Sequence, residues 1–259
     1  MYLCNAAIVR QFATVSTDGF IAVASIDLDM VYWPVAYLLI CKMKDVKYLL
    51  FDLDGTLTDP KEGITRSVQY ALEQMNVACP SMDELEWTIG PPLIDAFALL
   101  LNTKDKKQLQ KAINFYRERY VDRCAIENKP YDGIHETLET LVNHGYQLYL
   151  ATSKPWAYAG KILDHFNLRD YFTAVHGSEL DGTRDYKEEL IGYVLDTQKI
   201  SNTQSLMIGD RRYDILGAKH NNVRSIGVTY GYGSLEEIQE AGPDAVCDHH
   251  RLILPTLNK

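Results

Sequence analysis

Short apolar runs that alternate with segments of helical periodicity constrain the fold of this chain more than any other feature. The runs are three to seven residues long and lack apolar–polar alternation, which indicates burial on both faces. We predict strands at 48–51, 147–151, 172–177, 205–209, 224–230 and 245–247, and helices at 135–145, 155–166 and 187–198. Buried strands separated by helices are typical of a parallel sheet with helices on both sides. The sequence therefore predicts a doubly wound, Rossmann-like α/β fold.

One block, residues 61–129, interrupts this alternation because it contains no strand pattern. Its helical segments lie at 62–75, 93–101 and 104–123. Pro60 and the Pro-Tyr-Asp-Gly segment at 130–133 bound the block. A helical insertion after the first strand predicts a smaller domain above the edge of the sheet at which α/β proteins bind ligands. We expect a core made of 43–60 and 130–259 and a helical cap made of 61–129.

The first 42 residues do not share the alternating pattern. They carry few charges and include an apolar run at 31–41. That run is shorter than the roughly 20 residues that a membrane span needs, and Pro34 interrupts it. Neither a secretory signal nor a transit peptide is recognisable. We expect residues 1–42 to be an extension outside the core fold, with Met43 as an alternative start of translation.

Charge and cysteine content exclude several classes of protein. The net charge is −9 and no basic stripe stands out, which disfavours nucleic-acid binding. The five cysteines form no C-x-x-C pair, so a disulfide framework and a zinc site are both disfavoured. Unpaired thiols favour a reducing compartment. We predict a cytoplasmic protein without a membrane span, and the sequence leaves its oligomeric state open.

Polar residues occur at four points along the predicted α/β core. They are Asp52 and Asp54 after the first strand, Thr152 and Ser153 after the second, Lys187 at a helix start, and Asp210 and Asp214 after the fourth strand. Taken singly, each group is typical of a helix cap or a turn. The carboxyl ends of parallel strands meet at one edge, where open α/β sheets bind their ligands. Together the four groups therefore indicate a functional site.

In this order the four groups resemble the motifs of the haloacid-dehalogenase superfamily of phosphohydrolases. The resemblance lies in Asp52 with DGTLTDP at 54–60, in Thr152, in Lys187 and in MIGDRRYDILGAKHNNV at 207–223. IGPPL at 89–93 and HGSELDGT at 176–183 are most similar to phosphoglycolate-phosphatase-like members. The resemblance extends from about Met43 to the C terminus. It implies a phosphatase that has a helical cap.

The paired aspartates indicate which chemistry such a site performs. A carboxylate can attack phosphorus and divide the reaction into two steps through an aspartyl-phosphate. Asp52 fits that role, as the resemblance also implies. Protonating the leaving oxygen and then activating water needs one acid/base group near the nucleophile, and Asp54 is the candidate. Superfamily members that cleave carbon–halogen bonds lack this second aspartate, so its presence favours phosphoryl chemistry.

Clustered carboxylates repel one another, which predicts a cation among them. Oxygen ligands together with a substrate phosphate suit Mg²⁺. The resemblance implies that the metal ligands are the Asp52 side chain, the Asp54 backbone carbonyl and Asp210. Asp214 lies one helical turn after Asp210, and we expect it to support the ligands rather than to bind the metal.

Phosphate oxygens also need hydrogen-bond donors. Thr152 offers a hydroxyl and Lys187 an ammonium, and backbone N–H groups near Gly55 and Ser153 add further dipoles. Arg66, in the predicted cap, is a candidate contact for a substrate carboxylate or sugar hydroxyl. Two residues of the first motif, Thr56 and Thr58, are expected to be local caps without a chemical role.

We predict a Mg²⁺-dependent phosphatase that acts on a small phosphorylated metabolite, with phosphoglycolate as the first expected substrate. A nucleoside 5′-monophosphate phosphatase is the second expectation. A phosphosugar mutase of the same superfamily would use the same Asp52 and Asp54 but keep the phosphoryl group from water. A catalytically silent partner-binding domain is disfavoured because no motif residue is missing.

Overall fold

A computed structural model of the chain describes residues 43–258. The predicted extension at residues 1–42 lies outside the described residues. Within 43–258, no helix combines the length and the apolar character that crossing a bilayer requires. The predicted cytoplasmic location stays a prediction.

Six parallel strands form the central sheet, and two short antiparallel strands form a separate pair. The strands are β1 Tyr48–Phe51, β2 Thr58–Asp59, β3 Lys129–Pro130, β4 Gln147–Pro155, β5 Phe172–Ser178, β6 Ser205–Gly209, β7 Arg224–Val228 and β8 Ala245–Cys247. The sheet order is β5-β4-β1-β6-β7-β8. The chain thus moves outward on one side of β1, returns to its other side at β6, and moves outward again. This order is that of the Rossmann fold, so the predicted fold class is confirmed.

Nine α-helices lie in the described part of the chain. They are α1 Lys61–Gln74, α2 Leu93–Leu100, α3 Lys106–Arg123, α4 Ile134–Asn143, α5 Trp156–His165, α6 Lys187–Gln198, α7 Arg212–His220, α8 Leu235–Ala241 and α9 Ile253–Leu257. Short 3₁₀ helices lie at Asp83–Thr88, Arg169–Tyr171, Asn202–Gln204 and His250–Leu252. The helices α1, α2 and α3 all fall in the block at 61–129, as the periodicity predicts.

Burial on both faces of the sheet explains its non-alternating strands. In β1, Leu49 and Phe51 belong to the main apolar core, whereas Leu50 belongs to a second cluster. Successive side chains of a strand point to opposite faces. Both faces of β1 are therefore covered, and its last three residues are fully buried. β1 lies near the centre of the sheet. Because its side chains are buried on both faces, the residues that follow its carboxyl end are the ones available to a substrate.

The pair of short strands marks where the chain enters and leaves the helical block. Thr58 of β2 pairs with Pro130 of β3, and Asp59 pairs with Lys129. The two connections between the block at 61–129 and the sheet therefore run side by side. Strands of two residues are too short to show a period of two, so the sequence did not predict them.

Candidate active site

Asp52 and Asp210 converge because they follow neighbouring strands. Phe51 at the end of β1 is in register with Ile208 of β6, and the Asp52 amide donates to the Ile208 carbonyl at 2.9 Å. Between β1 and β6 the order of the sheet reverses. In open α/β sheets the crevice at such a reversal is where ligands bind. The sheet topology therefore places the two aspartates at its binding edge.

A third carboxylate completes an acidic cluster at this edge. Asp52, Asp210 and Asp214 each offer an oxygen, and these oxygens all lie within 4.8 Å of one another. All three residues are buried. Burial, together with the charges of Asp214 and Asp52, raises the pKa of Asp210 to about 8. Burial and the charge of Asp52 raise the pKa of Asp214 to about 6, against the opposing charge of Lys187. Three buried carboxylates this close together repel one another unless a cation lies among them.

The surroundings of Asp210 are consistent with a metal ligand. Its Oδ1 accepts a hydrogen bond from the Thr56 hydroxyl at 3.2 Å, and its Oδ2 accepts one from the Tyr232 amide at 2.8 Å. These donors fix the orientation of the carboxylate. A cluster that offers only hard oxygen ligands suits Mg²⁺. The residues present therefore fit the cation that the sequence predicts.

Lys187 places a positive charge beside two of these carboxylates. It is the first residue of α6, and its Nζ lies 2.9 Å from Asp52 Oδ1 and 2.5 Å from Asp214 Oδ1. Nζ also donates to the Ala151 carbonyl at 2.9 Å. Burial alone would lower the pKa of Lys187, but Asp214 and Asp52 raise it. The ammonium form is thus held between two carboxylates.

Asp52 and Asp214 share Lys187 but differ in their relation to the cavity of the site. Each forms an ion pair with Lys187 through its Oδ1, and neither Oδ1 has a hydrogen-bond partner among the described residues. The Oδ2 of Asp214 accepts the Arg211 amide at 3.2 Å. Asp52 lines the cavity, whereas Asp214 is not among its lining residues. The roles of Asp52 as a ligand and of Asp214 as its support stay predictions, and this arrangement favours them.

Asp54 has a different partner, Lys154, which is not among the predicted site residues. Lys154 Nζ lies 2.7 Å from Asp54 Oδ2, and both side chains are buried. The other oxygen, Asp54 Oδ1, has no hydrogen-bond partner among the described residues. Burial raises the pKa of Asp54, although Lys154 opposes this effect. A signal for Lys154 was present in the sequence, since it stands two residues after Thr152 and so shares a strand face with it.

Thr152 and Ser153 lie on the last part of β4. The Thr152 hydroxyl accepts the Lys154 amide at 3.2 Å, and the Ser153 carbonyl accepts the Ser178 hydroxyl at 2.8 Å. A register shift between Thr152 and Pro155 interrupts the pairing of β4 with β5 here. Both residues line the same cavity as Asp52 and Asp54. The predicted phosphate donors are thus brought to the predicted nucleophile.

Gly55 lies directly against Asp210. Its amide donates to the Thr58 carbonyl at 2.8 Å, so it is already occupied and we leave it out of the phosphate donors. The reason for glycine is instead space, because a Cβ here would lie 2.1 Å from Asp210 Oδ2. Thr56 also differs from expectation, since it donates to Asp210 rather than capping the backbone. The Thr58 hydroxyl has no hydrogen-bond partner in the part of the chain described.

A cavity opens from these residues toward the helical block. Ile113, Tyr116 and Tyr120 of α3 line it, and the last two rings stack with centroids 5.0 Å apart. Arg66 is not brought to this cavity. It forms an ion pair with Glu62 at 3.0 Å and lines a different cavity, so we leave Arg66 out of the proposed site.

Comparisons with known proteins agree with the fold and the site. Residues 49–228 match the sequence model of the haloacid dehalogenase-like hydrolases, and the chain belongs to that family. The predicted superfamily membership is thereby confirmed.

Individual relatives are similar over most of their length. A 5′-nucleotidase of Pseudomonas aeruginosa is 49% identical over 199 residues, which cover 77% of this chain and 90% of that protein. A phosphoglycolate phosphatase of Colwellia psychrerythraea is 28% identical over 84% of this chain and 100% of its own length. The crystal structure of a predicted phosphatase from Clostridium acetobutylicum is 43% identical, with a TM-score of 0.78 over 81% of this chain and 99% of that one. Family and relatives alike support an enzyme of the phosphatase class.

Proposed function

We propose that this chain hydrolyses phosphate monoesters of small metabolites through an aspartyl-phosphate intermediate on Asp52. The observation that carries the proposal is the buried cluster of Asp52, Asp210 and Asp214, with Lys187 paired to the first and the last. Of these three carboxylates, Asp52 lines the cavity of the site, and the other two are not among its lining residues. Asp52 is thus the carboxylate placed for attack on phosphorus.

The first step transfers the phosphoryl group to the enzyme. A carboxylate oxygen of Asp52 forms a bond to phosphorus, and the bond from phosphorus to the ester oxygen breaks. The electron pair of that bond goes to the ester oxygen, which takes a proton from Asp54 and leaves as an alcohol. Burial raises the pKa of Asp54, which favours the protonated form that this step needs.

The second step returns the enzyme to its starting state. A water oxygen attacks phosphorus while Asp54, now a carboxylate, takes a proton from that water. The bond between phosphorus and Asp52 breaks, its electron pair returns to the Asp52 carboxylate, and inorganic phosphate is released. One acid/base group serves both steps because the proton given in the first is regained in the second.

Electrostatic stabilisation comes from groups around the phosphate. Thr152 and the backbone amide of Ser153 are proposed donors to its oxygens, and Lys187 holds Asp52 in place. Asp52, Asp210 and the carbonyl of Asp54 are the proposed ligands of Mg²⁺. When bound, Mg²⁺ would neutralise part of the phosphate charge. These groups are fixed before the substrate arrives, which is what makes such stabilisation effective.

The block at 61–129 is proposed to be a cap over a core made of 43–60 and 130–259. Two observations support this division. The chain enters and leaves the block through paired strands, Thr58–Asp59 and Lys129–Pro130. Residues of both parts line the cavity that contains Asp52. Such a cap would exclude bulk water during phosphoryl transfer.

For the substrate, we place nucleoside 5′-monophosphates before phosphoglycolate, which reverses the order expected from the sequence. The 49% identical relative is a 5′-nucleotidase, whereas the phosphoglycolate phosphatase is 28% identical. Tyr116 and Tyr120 line the cavity that contains Asp52 and give it aromatic walls. Contact with aromatic rings favours ring-containing substrates.

Phosphoglycolate stays the second candidate because of Arg117. This cation lines the cavity and donates to the Leu180 carbonyl at 2.5 Å, while its Nε has no hydrogen-bond partner among the described residues. Arginine recognises carboxylates well. A comparison of kcat/KM for nucleoside 5′-monophosphates and phosphoglycolate, in the wild type and in Arg117→Met, separates the two. Only phosphoglycolate hydrolysis should depend strongly on Arg117.

The class of reaction is tested by phosphate release from p-nitrophenyl phosphate. We expect release that requires Mg²⁺, stops with a chelator, and falls at least about 10³-fold in Asp52→Asn. Asp196→Asn is the matched control, because Asp196 is exposed on the same helix as Lys187. Undiminished release in Asp52→Asn would overturn the proposal. Isomerised sugar phosphate in place of released phosphate would instead indicate the mutase.

A further inference from the structure

Lys154 is a buried cation for which the proposed reaction does not yet account. Lys154 is only 8% exposed. Its Nζ lies 2.7 Å from Asp54 Oδ2, donates to the Tyr120 hydroxyl, and sits 4.6 Å from the centroid of the Tyr120 ring. A buried ammonium is costly unless it is paired and hydrogen-bonded. The contacts with Asp54 and Tyr120 are what keep it there.

The three residues come from three separate parts of the chain. Asp54 lies in the loop after β1, Lys154 on the last part of β4, and Tyr120 near the end of α3. The first two belong to the sheet and its loops, and the third to the helical block at 61–129. Tyr120 is itself buried. Lys154 therefore connects the acid/base aspartate of the sheet edge to a helix of the inserted block.

The two carboxylate oxygens of Asp54 differ in their contacts. Lys154 holds Oδ2, whereas Oδ1 has no hydrogen-bond partner in the described structure. A carboxylate held by one oxygen cannot turn freely about its last bond. The ion pair therefore sets the orientation in which the carboxyl group meets an ester oxygen or water. Proton transfer depends steeply on such alignment.

We propose that Lys154 is a positioning residue that fixes Asp54 for proton transfer, and that Tyr120 of α3 fixes Lys154 in turn. Acid–base catalysis then requires the helical block to lie against the sheet edge. The inference rests on the proposed function, since it assigns Asp54 the role of acid and base. It adds Lys154 and Tyr120, which lie outside the predicted motifs.

A second role for Lys154 would be direct attraction of the substrate phosphate. The two roles differ in how they depend on the leaving group. A phosphate ligand contributes to every ester alike. A residue that positions the general acid matters most for an ester whose leaving oxygen must be protonated. Benzyl phosphate releases an alkoxide, whereas p-nitrophenyl phosphate, of similar size, releases a stable phenolate.

The experiment measures kcat/KM for both esters, with saturating Mg²⁺, in the wild type and in Lys154→Met. This parameter reports the first transfer and not the later hydrolysis of the intermediate. We expect kcat/KM to fall about 100-fold for benzyl phosphate and less than about tenfold for p-nitrophenyl phosphate. Equal losses for the two esters would overturn the inference in favour of phosphate binding.

Two further variants guard against a loss caused by misfolding. Tyr120→Phe removes only the hydroxyl and should reproduce the selective loss with benzyl phosphate on a smaller scale, because Lys154 is then less well held. Lys154→Arg keeps the charge and should recover part of the benzyl phosphate activity. An unselective loss in Tyr120→Phe, or no recovery in Lys154→Arg, would contradict the positioning role.

Lys161→Met is the matched control. Lys161 lies on α5 and its Nζ donates to the Val121 carbonyl of α3 at 3.4 Å, so it also joins the sheet side to the helical block. It has no contact with Asp54 and should show no selectivity between the esters. A selective loss in Lys161→Met would mean that any such contact suffices, which would overturn the specific role of Lys154. Failure of the proposed function itself would look different, because the wild type would then hydrolyse neither ester.

Discussion

At the scale of single residues, Gly55 shows how closely the first motif approaches the acidic cluster. Its φ is +81°, and an added Cβ would lie 2.1 Å from Asp210 Oδ2 and 2.8 Å from Oδ1. Gly55→Ala should therefore displace the carboxylate of Asp210. We expect the Mg²⁺ concentration for half-maximal activity to rise at least about tenfold, which a titration of activity with Mg²⁺ measures.

Gly145→Ala provides the control for backbone strain at that position. Gly145 has a similar φ of +88°, but nothing lies within 4 Å of an added Cβ. The variant should lose roughly 1 kcal/mol of stability through strain and keep the Mg²⁺ requirement of the wild type. If both variants shifted that requirement equally, strain alone would explain the result and the close approach to Asp210 would be irrelevant.

Among single residues, the sequence predicted those that follow a recognisable strand and missed those that meet only in the fold. Asp52 and Asp210 are predictable because each follows a buried apolar run, and parallel strands end at one edge. The pair Lys154 and Tyr120 is separated by 34 residues and joins two layers of the structure. No local pattern encodes such a contact, because it depends on how α3 packs against β4.

At the scale of elements, the junction of β4 and β5 holds Thr152 and Lys154 in place. Gly177 of β5 pairs with Thr152, and a Cβ on Gly177 would lie 2.4 Å from the Lys154 carbonyl and 2.8 Å from the Trp156 amide. These are backbone atoms that cannot turn aside. Gly177→Ala should cost about 1–3 kcal/mol of stability and lower kcat/KM, because the end of β4 must shift. Urea unfolding and steady-state kinetics measure the two effects.

Gly160→Ala is the comparison for this prediction. An added Cβ there meets the end of the Arg169 side chain at 2.7 Å, and such a flexible group can move. Gly160 lies inside α5, where alanine is favoured over glycine by about 1 kcal/mol. Its substitution should leave activity and stability unchanged or slightly increase stability. A loss in Gly160→Ala as large as in Gly177→Ala would contradict the argument from backbone contact.

Element bounds were predictable where strands are buried and apolar throughout. The predicted bounds of β1, β6 and β8 agree with the structure, since their apolar runs begin and end abruptly. The prediction for β4 ended at Ala151, whereas the strand continues to Pro155. Its last four residues are polar or proline and pair with β5 through a register shift. The part of β4 that carries the chemistry is thus the part without strand periodicity.

At the scale of the whole molecule, metal binding should stabilise the folded state. The acidic cluster of Asp52, Asp210 and Asp214 exists only when β1, β6 and α7 are assembled. A cation that binds there should stabilise the fold by about 2.7 kcal/mol at 100 times its dissociation constant. We expect Mg²⁺ to raise the melting temperature of the wild type and of Asp196→Asn, but not of Asp210→Asn. An equal increase in Asp210→Asn would place the bound metal elsewhere.

Global stability should also depend on pH through His250, far along the chain from the active site. Its Nδ1 lies 2.6 Å from the Thr137 hydroxyl and its Nε2 lies 3.1 Å from the Asp132 carbonyl, and a neutral ring with its proton on Nε2 satisfies both. Burial, together with His249 and Arg251, lowers the pKa of His250. The folded state therefore binds fewer protons than the unfolded state near the usual histidine pKa of about 6.5.

The sign of the effect follows from this difference. The contribution of His250 is present above about pH 6.5 and is lost as the pH falls. Urea unfolding at pH 5, 6 and 7 should show a steeper loss of stability in the wild type than in His250→Gln. His220→Gln, at an exposed position, should keep the wild-type slope. Equal slopes in the wild type and His250→Gln would contradict the assignment.

The central claim is that the phosphoryl group passes through Asp52, and Asp54→Asn tests it most directly. With p-nitrophenyl phosphate and Mg²⁺, this variant should still transfer the group, because the nitrophenolate needs no proton, but it should hydrolyse the intermediate slowly. We predict a burst of about one nitrophenolate per protein chain and, after acid quenching, a phosphoryl group on the peptide that contains Asp52. Continued turnover without a burst, or a phosphoryl group on any other residue, would contradict the account.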